Sequence, residues 1–305
     1  MDRKRKITGH LFALVTIFIW GTTFISTKLL LEAISPIEIL FLRFTAGFMA
    51  LSLAYPHKLK IRERKQEWYF AAAGLCGVTL YFLLENIALT YTLASNAGVI
   101  VSISPFFTAV FAHLFLNGEK WSLQFFIGFA LAAAGIFLIG FNGSTVLNLN
   151  PLGDILAALA AVVWAAYSVL IKKISGFHYN TVQTTRRIFF YGLVFMLPAL
   201  LLFGFNPDMD LLMQPVNLFN LLFLGLGASA LCFVTWNLAV KNLGAVKTSV
   251  YIYMVPVITV ITSVIVLRET ITGLAAFGAV LTMAGLFISE TKFAIRTTAS
   301  LHKDN

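Results

Sequence analysis

A chain of 305 residues that is 59% hydrophobic and only 11% charged cannot cover itself with a polar surface. This composition excludes an ordinary soluble globular protein and predicts a membrane protein. The net charge of +9 would suit a nucleic-acid-binding protein, but the positions of the basic residues along the chain argue against that partner.

Long apolar segments recur along the whole chain. A helix that crosses a hydrocarbon core of about 30 Å needs roughly 20 such residues. The pattern therefore predicts an all-α membrane protein with ten transmembrane helices and short connections. The predicted spans are 7–27, 37–55, 68–90, 95–116, 122–141, 153–172, 183–204, 217–240, 246–267 and 271–290.

The first span follows a basic flank, MDRKRK, which is typical of a signal peptide. Its apolar run of about 20 residues is long for that role, and it lacks a small-x-small cleavage site. We therefore interpret 7–27 as the first helix. Cys76 and Cys232 both fall inside spans, so neither a disulfide framework nor a metal site is predicted.

The basic residues fall almost entirely on one side of ten alternating spans. By the positive-inside rule, this asymmetry predicts a multi-pass protein of the cell (cytoplasmic) membrane with both termini in the cytoplasm. The charge then suits anionic lipid headgroups of the bilayer better than nucleic acid. Only Lys28 and Arg268 fall on the opposite side, whereas the cytoplasmic side receives Arg3, Lys4, Arg5, Lys6, Lys58, Lys60, Arg62, Arg64, Lys65, Lys120, Lys172, Lys173, Lys241, Lys247, Lys292, Arg296 and Lys303.

The two halves of the chain repeat each other, and we divide them at 7–141 and 153–290. The segment ENIALTYTLASNAGVIVSISP aligns with WNLAVKNLGAVKTSVYIYMVP. Five spans per copy is an odd number, so the second copy enters the membrane in the opposite sense. Inverted repeats of this kind are a transporter architecture. The matched residues are Trp20 with Trp164, Lys28 with Lys172, Arg43 with Arg187, Asn86 with Asn237, Pro105 with Pro256, Glu119 with Glu269, and Gly128 and Gly135 with Gly278 and Gly285.

Short motifs of the first copy, several of which recur in the second, resemble the EamA type of the drug/metabolite transporter superfamily. They are W-G-x-x-F in span 1, N-x-A-L in span 3, the mid-span proline, and G-E followed by G-x6-G. The resemblance covers nearly the whole chain. It implies ten helices, cytoplasmic termini, a central cavity and secondary transport of small metabolites, most often export. The motif residues are Trp20, Gly21, Phe24, Asn86, Ala88, Leu89, Pro105, Gly118 and Glu119, and in the second half Asn237 to Ala239, Pro256, Arg268 and Glu269.

Pro105 and Pro256 stand at matching positions in spans 4 and 9. A proline inside a helix removes one backbone hydrogen bond, and lipid tolerates the break only where protein or water satisfies the freed carbonyls. Paired breaks point to a midplane binding site in transporters, and the alternative is a plain packing kink. In the first interpretation, the residues that face the cavity or satisfy the broken turns are Ser102, Ser104, Tyr251 and Tyr253.

Glu85 lies inside the apolar run YFLLENIALTY, and Trp236 takes its place in the other repeat. A carboxylate inside the membrane costs roughly 2.5 to 3.5 kcal/mol, so it is a functional candidate. One hypothesis is a salt bridge to Arg43, another is a role in proton coupling, and the two can coexist.

Arg43 and Arg187 are repeated, which favours a scaffold role for both. Arg187, however, has no glutamate opposite it, and with Arg186 beside it could meet a carboxylate or phosphate of the cargo. The alternative is that both arginines of span 7 extend to the membrane interface.

Trp20 and Trp164 occupy equivalent places away from the usual interfacial aromatic belts. Aromatic faces beside a cavity suit apolar, aromatic or cationic cargo, whereas packing or lipid contact is the alternative. The glycine pairs lie seven residues apart, on one helix face, and predict close helix contact. The full set of candidate substrate-binding or coupling residues is Glu85, Trp20, Asn86, Ser102, Trp164, Trp236, Tyr253 and Arg187.

Catalytic and nucleotide-binding signatures are missing from the sequence, which contains no H-E-x-x-H, G-x-S-x-G or Walker A motif. GLGASA, from Gly225 to Ala230, fits a dinucleotide fingerprint but lies within span 8 with no strand before it. We expect no enzyme activity, no cofactor and no metal site. Transport would then draw on a gradient or run downhill.

Three classes of function remain, of which the inverted repeat favours a secondary transporter of a small-molecule substrate. A polytopic enzyme would need converging catalytic groups, and a non-transporting lipid-handling or scaffold subunit would need a partner. The cargo stays open between amino acids, purine-like compounds and hydrophobic amines. The direction, proton coupling and a homodimer are likewise open.

Overall fold

The computed structural model describes residues 3–92, 94–116, 123–141, 150–267 and 272–290. Within these ranges the chain forms helices and connecting segments and no strand, as the long apolar segments predicted. The helices of the first half are α1 (Arg3–Leu31), α2 (Pro36–Ala54), α3 (Gln66–Tyr91), α4 (Ala94–Val101), α5 (Ser104–Phe115) and α6 (Leu123–Phe141). Those of the second half are α7 (Pro151–Ser175), α8 (Thr181–Phe203), α9 (Met209–Leu212), α10 (Pro215–Leu243), α11 (Ala245–Ser249), α12 (Met254–Leu267) and α13 (Gly273–Glu290).

Six of these helices are long and apolar enough to cross a membrane, namely α1, α2, α3, α7, α8 and α10. Four shorter apolar helices stand where the other four spans were predicted: Ser104–Phe115, Leu123–Ile139, Ala245–Thr259 and Ala276–Ser289. The protein is therefore a multi-pass membrane protein, and the total of ten crossings stays a prediction.

Several helices begin and end at residues with clear capping chemistry. The backbone N–H of Ser35 donates to the Glu38 carboxylate at 3.0 Å at the start of α2. Asn180 accepts from the N–H of Val182 at 2.9 Å at the start of α8. These contacts satisfy backbone donors that have no partner inside the helix. Gly204 follows the last residue of α8, and its φ of 77° favours glycine.

Both halves carry irregular helix at corresponding positions. A π-helical stretch runs through α3 at Leu75–Leu80 and through α10 at Phe223–Leu231. The predicted fourth span divides into α4 and α5, and a 3₁₀ turn at Val250–Tyr253 separates α11 from α12 in the ninth.

The two halves interlock rather than packing as separate units. Helix α1 packs against α10 and α12, and α3 packs against α7 and α8. Helices α6 and α13 meet through the predicted glycines: a Cβ added at Gly135 would lie 2.5 Å from the carbonyl oxygen of Gly278, and one at Gly128 would lie 2.5 Å from that of Gly285. The predicted close helix contact is therefore confirmed. The interlocking brings residues from both repeats to the centre of the molecule.

Candidate functional site

A central cavity with about 530 Å³ of empty space lies between the two halves. Its walls come from α1, α2, α3 and α4 of the first half and from α7, the 3₁₀ turn and α12 of the second. A mostly apolar wall with a few polar side chains is typical of small-molecule sites. The lining side chains include one carboxylate and one guanidinium: Trp20, Thr23, Phe24, Arg43, Tyr81, Phe82, Glu85, Val101, Ser102, Trp164, Ile252 and Val255.

Three tryptophans from three helices cluster beside this cavity. The ring centroid of Trp20 lies 5.2 Å from that of Trp164 and 5.1 Å from that of Trp236. Trp20 and Trp164 line the cavity, whereas Trp236 is fully buried and forms no part of the wall. The indole Nε1 of Trp20 donates to the Ala228 carbonyl at 3.0 Å. Nε1 of Trp164 is buried and has no acceptor within the described part of the chain.

The Glu85 carboxylate belongs to the cavity wall and is only 9% exposed. The hydroxyl of Tyr81, one helical turn earlier on α3, donates to its Oε1 at 3.1 Å. The Tyr81 ring in turn lies 4.8 Å from the ring of Trp164. The carboxylate is therefore held beside an aromatic wall rather than beside a cation.

Arg43 reaches the same cavity from α2, and it is 2% exposed. Its Nε donates to the Ser229 hydroxyl at 3.0 Å, and its Cζ lies 4.6 Å from the centroid of the Phe82 ring. The predicted salt bridge to Glu85 does not form: no ion pair links the two side chains, although they attract each other electrostatically. The salt-bridge hypothesis for Glu85 is therefore wrong in this structure, because hydroxyl and aromatic partners orient the two groups separately.

The residues near the two prolines differ in whether they line the cavity. Pro105 lies in the first turn of α5, directly after the break between α4 and α5, and Pro256 is the third residue of α12. Ser102 lines the cavity, and its hydroxyl donates to the Gly98 carbonyl at 2.6 Å. Tyr253 is fully buried outside the lining set, and its hydroxyl has no partner in the described ranges.

The two repeated asparagines serve as buried links between helices. Asn86 lies outside the lining set and donates from Nδ2 to the Pro36 carbonyl at 3.2 Å. Asn237 accepts from the Tyr167 hydroxyl at 2.9 Å and donates to the Thr185 hydroxyl at 3.0 Å. It therefore ties α10 to both α7 and α8.

Asn237 also borders a second, smaller pocket of about 280 Å³ at the junction of α7, α8 and α10. Lys241 and Ser175 are among its other lining residues. Tyr167, which bonds to Asn237, lies 4.9 Å from the ring of Trp164 in the wall of the central cavity. A short run of contacts, Trp164 to Tyr167 to Asn237, thus stands between the two spaces.

Arg187 does have a carboxylate partner, contrary to the sequence-based expectation. It donates to Glu67 from Nε at 2.8 Å and from Nη2 at 2.5 Å, and Tyr191 donates to the same carboxylate. Arg187 lies outside the lining set of either pocket. The expectation failed because it rested on Trp236, the residue equivalent to Glu85 in the second repeat. The carboxylate that pairs with Arg187 belongs instead to Glu67, at the start of α3.

Some of the family motif residues lie outside the part of the chain that the structure describes. Gly118, Glu119, Arg268 and Glu269, the motifs that close each repeat, lie outside the described residues. Among the residues that are described, no group of three or more His, Cys, Asp or Glu side chains could hold a metal ion.

The sequence analysis missed Tyr81 and Phe82 as lining residues and favoured a scaffold role for Arg43. The sequence contains one indication for Tyr81 and one for Phe82. Tyr81 lies one helical turn before Glu85, and Phe82 precedes Glu85 by the same spacing as Phe233 precedes Trp236 in the second repeat.

Comparison with known proteins identifies relatives along the whole chain. The model of the EamA-like transporter family matches residues 7–141 and 151–291. An uncharacterized transporter of Archaeoglobus fulgidus is 29% identical, with 93% of this chain and 97% of the relative covered. A protein of Streptantibioticus cattleyicolor named as a probable terminal-alkyne amino-acid exporter is 27% identical, with 93% and 94% covered.

A crystal structure of a protein that is 21% identical superposes with a TM-score of 0.75 over 93% of this chain and 96% of that one. At this identity, the likeness concerns the fold alone. The family match and the fold agree with the resemblance predicted from the motifs, which is confirmed.

Proposed function

The chain belongs to the EamA-like transporter family, and from this premise we propose that it is a secondary transporter that exports a small organic solute across the cytoplasmic membrane. The observation that carries the proposal is the cavity between two interlocked halves, with the Glu85 carboxylate in its wall. Inverted halves can exchange roles, so that one site opens alternately to either side.

The contacts from Trp164 through Tyr167 to Asn237 are the barrier that must open on one side. They separate the central cavity from the smaller pocket beside Lys241. Movement of α7 relative to α10 would join the two spaces. The basic end of the molecule faces the cytoplasm in this proposal, with both termini on that side.

Glu85 is the coupling group in this proposal. A carboxylate in the membrane is costly and is retained where it serves an ion or substrate pathway. Its one hydrogen-bond donor in the described ranges is the neutral Tyr81 hydroxyl, so a proton or a cationic group can still meet the carboxylate. Proton binding and release at Glu85 would then link solute movement to the pH gradient.

The name of the Streptantibioticus cattleyicolor relative supports export and an amino-acid-like cargo. Purine-like compounds and hydrophobic amines also suit an aromatic wall with one carboxylate.

Metabolite counterflow tests the proposal. Purified protein in liposomes is offered a small-metabolite library, with and without an imposed pH gradient. We expect at least one solute to exchange faster with the gradient in the wild type. Glu85→Gln should abolish the gradient effect while the protein stays in the membrane, because an amide cannot carry the proton.

Glu63→Gln is the matched control, since it makes the same chemical change at an exposed position outside the cavity. It should behave like the wild type. Gradient-dependent exchange that survives in Glu85→Gln would remove Glu85 from coupling. Absence of any exchanged solute would contradict transport and favour a lipid-handling or scaffold subunit.

A further inference from the structure

We propose, on the basis of the transport function above, that the cargo is a zwitterion with an aromatic or aliphatic side chain, bound through its carboxylate at Arg43 and its ammonium group at Glu85. Amines without an acidic group and acids without an amine would be poor cargo. Arg43 then determines specificity instead of serving as scaffold.

The first step in the argument is that two opposite charges face one cavity without touching. Both side chains line it, and no nitrogen of Arg43 lies within 4.0 Å of an oxygen of Glu85. Buried charges without an oppositely charged contact partner are costly and are seldom kept for packing alone. A bound molecule that carries both charges would form an ion pair with Arg43 and another with Glu85.

The second step concerns how Arg43 is held. Its Nε is occupied by Ser229, and the guanidinium lies 4.6 Å from the centroid of the Phe82 ring and 5.3 Å from that of Phe44. These contacts fix the planar group. Its two terminal nitrogens make no hydrogen bond to any described residue, so they can bind both oxygens of a carboxylate, for which this planar fork is suited.

The third step concerns the Glu85 end. The Tyr81 hydroxyl donates to Oε1, and no described residue donates to Oε2. The rings of Tyr81 and Trp164 lie 4.8 Å apart in the same wall. A carboxylate beside aromatic faces suits an ammonium group, which gains an ion pair and cation–π attraction together.

The remaining wall is apolar and suits a side chain rather than a third charge. Trp20, Phe24, Ile252 and Val255 contribute to it. Trp20 uses its Nε1 for the Ala228 carbonyl, whereas Nε1 of the lining residue Trp164 has no acceptor among the described residues. Neither indole adds a charge to this part of the wall.

Three ligands with the same aromatic ring separate the possible charge patterns. The purified full-length protein in detergent is titrated with L-phenylalanine, phenethylamine and 3-phenylpropionate, and each half-saturating concentration is read from the rise in melting temperature. L-Leucine with 3-methylbutylamine and 4-methylpentanoate repeats the test for an aliphatic side chain. We expect each zwitterion to bind at least tenfold more tightly than either single-charge analogue.

Two variants assign the charges. Arg43→Gln should weaken phenylalanine binding to the level of phenethylamine and leave phenethylamine unweakened. Glu85→Gln should weaken phenylalanine to the level of phenylpropionate. The wild-type comparison decides the proposal even if Arg43→Gln fails to fold.

The proposal is overturned if an amine or an acid binds as tightly as its zwitterion, or if no amino acid binds while another solute exchanges in liposomes. In both cases, transport stands. Zwitterion binding without exchange of any solute supports the recognition at Arg43 and Glu85 and overturns transport.

Discussion

Residues at equivalent positions of the two repeats have the same side chain but different partners. Trp20 donates its Nε1 to a backbone carbonyl, and Trp164 has no acceptor in the described ranges. Arg43 lines the cavity and contacts Ser229 and Phe82, whereas Arg187 pairs with Glu67 outside the lining set. Because each residue packs against the opposite repeat, an equivalent position does not ensure an equivalent environment.

The repeated asparagines give a prediction with a built-in control. Asn237→Ala should destabilise the protein by roughly 1 to 3 kcal/mol, because the buried Tyr167 and Thr185 hydroxyls both lose their link to it. Asn86→Ala should cost less, about 0.5 to 1.5 kcal/mol, since one bond is lost and its buried Oδ1 is already without a partner in the described part of the chain.

Melting temperatures of the two purified variants in the same detergent check this order. An equal or smaller loss for Asn237→Ala would contradict a linking role for the Tyr167–Asn237–Thr185 contacts. Such a result would also weaken their assignment as the barrier between the two pockets.

At the scale of elements, irregular helix stands at the centre of the molecule in both repeats. The π-helical stretch of α3 ends directly before Tyr81, and that of α10 ends directly before Cys232. Such a stretch turns the following residues to a different face, and π-helix is frequent at functional sites. On α3 the residues that follow it are the cavity residues Tyr81, Phe82 and Glu85.

The strength of the contact between α6 and α13 can be tested. An added Cβ at Gly135 would lie 2.5 Å from the Gly278 carbonyl oxygen and 2.5 Å from the Thr282 nitrogen, so the helices must separate. Gly135→Ala should cost about 1 to 3 kcal/mol, which is the usual penalty for overpacking. The yield of monodisperse protein and its melting temperature measure the effect.

Gly273→Ala serves as the control, because a Cβ there meets nothing within 4 Å. We expect this variant to match the wild type. If both variants were equally stable, the glycine contact would not determine the spacing of α6 and α13.

At the scale of the whole molecule, hydrogen bonds between helix ends place those ends in two groups. The Arg186 guanidinium donates to the carbonyls of Tyr55 and His57, so the loop after α2 lies beside the start of α8. At another set of ends, Lys28 of α1 donates to the Leu89 carbonyl near the end of α3. This grouping is the one that alternating spans require.

Membrane orientation follows as a prediction from the charge asymmetry. In a variant without native cysteines, Lys60→Cys should react with an impermeant maleimide only from the cytoplasmic side, and Asp208→Cys only from outside. Labelling of intact and permeabilised cells distinguishes the two positions. Labelling of Lys60→Cys in intact cells would contradict cytoplasmic termini.

By itself, the sequence determined that the chain lies in a membrane, that it is helical, which family it belongs to, and that its paired glycines allow close helix contact. Composition, 20-residue apolar runs and matched motifs are sufficient for these conclusions because they are local properties. It also singled out Glu85, since a carboxylate in an apolar run is conspicuous without any fold. Only the tertiary structure decided which groups meet: that Arg43 and Glu85 share a cavity without pairing, and that Glu67 pairs with Arg187. Those partners lie on different helices, and the interlocking of the halves, which no local pattern encodes, sets their distances.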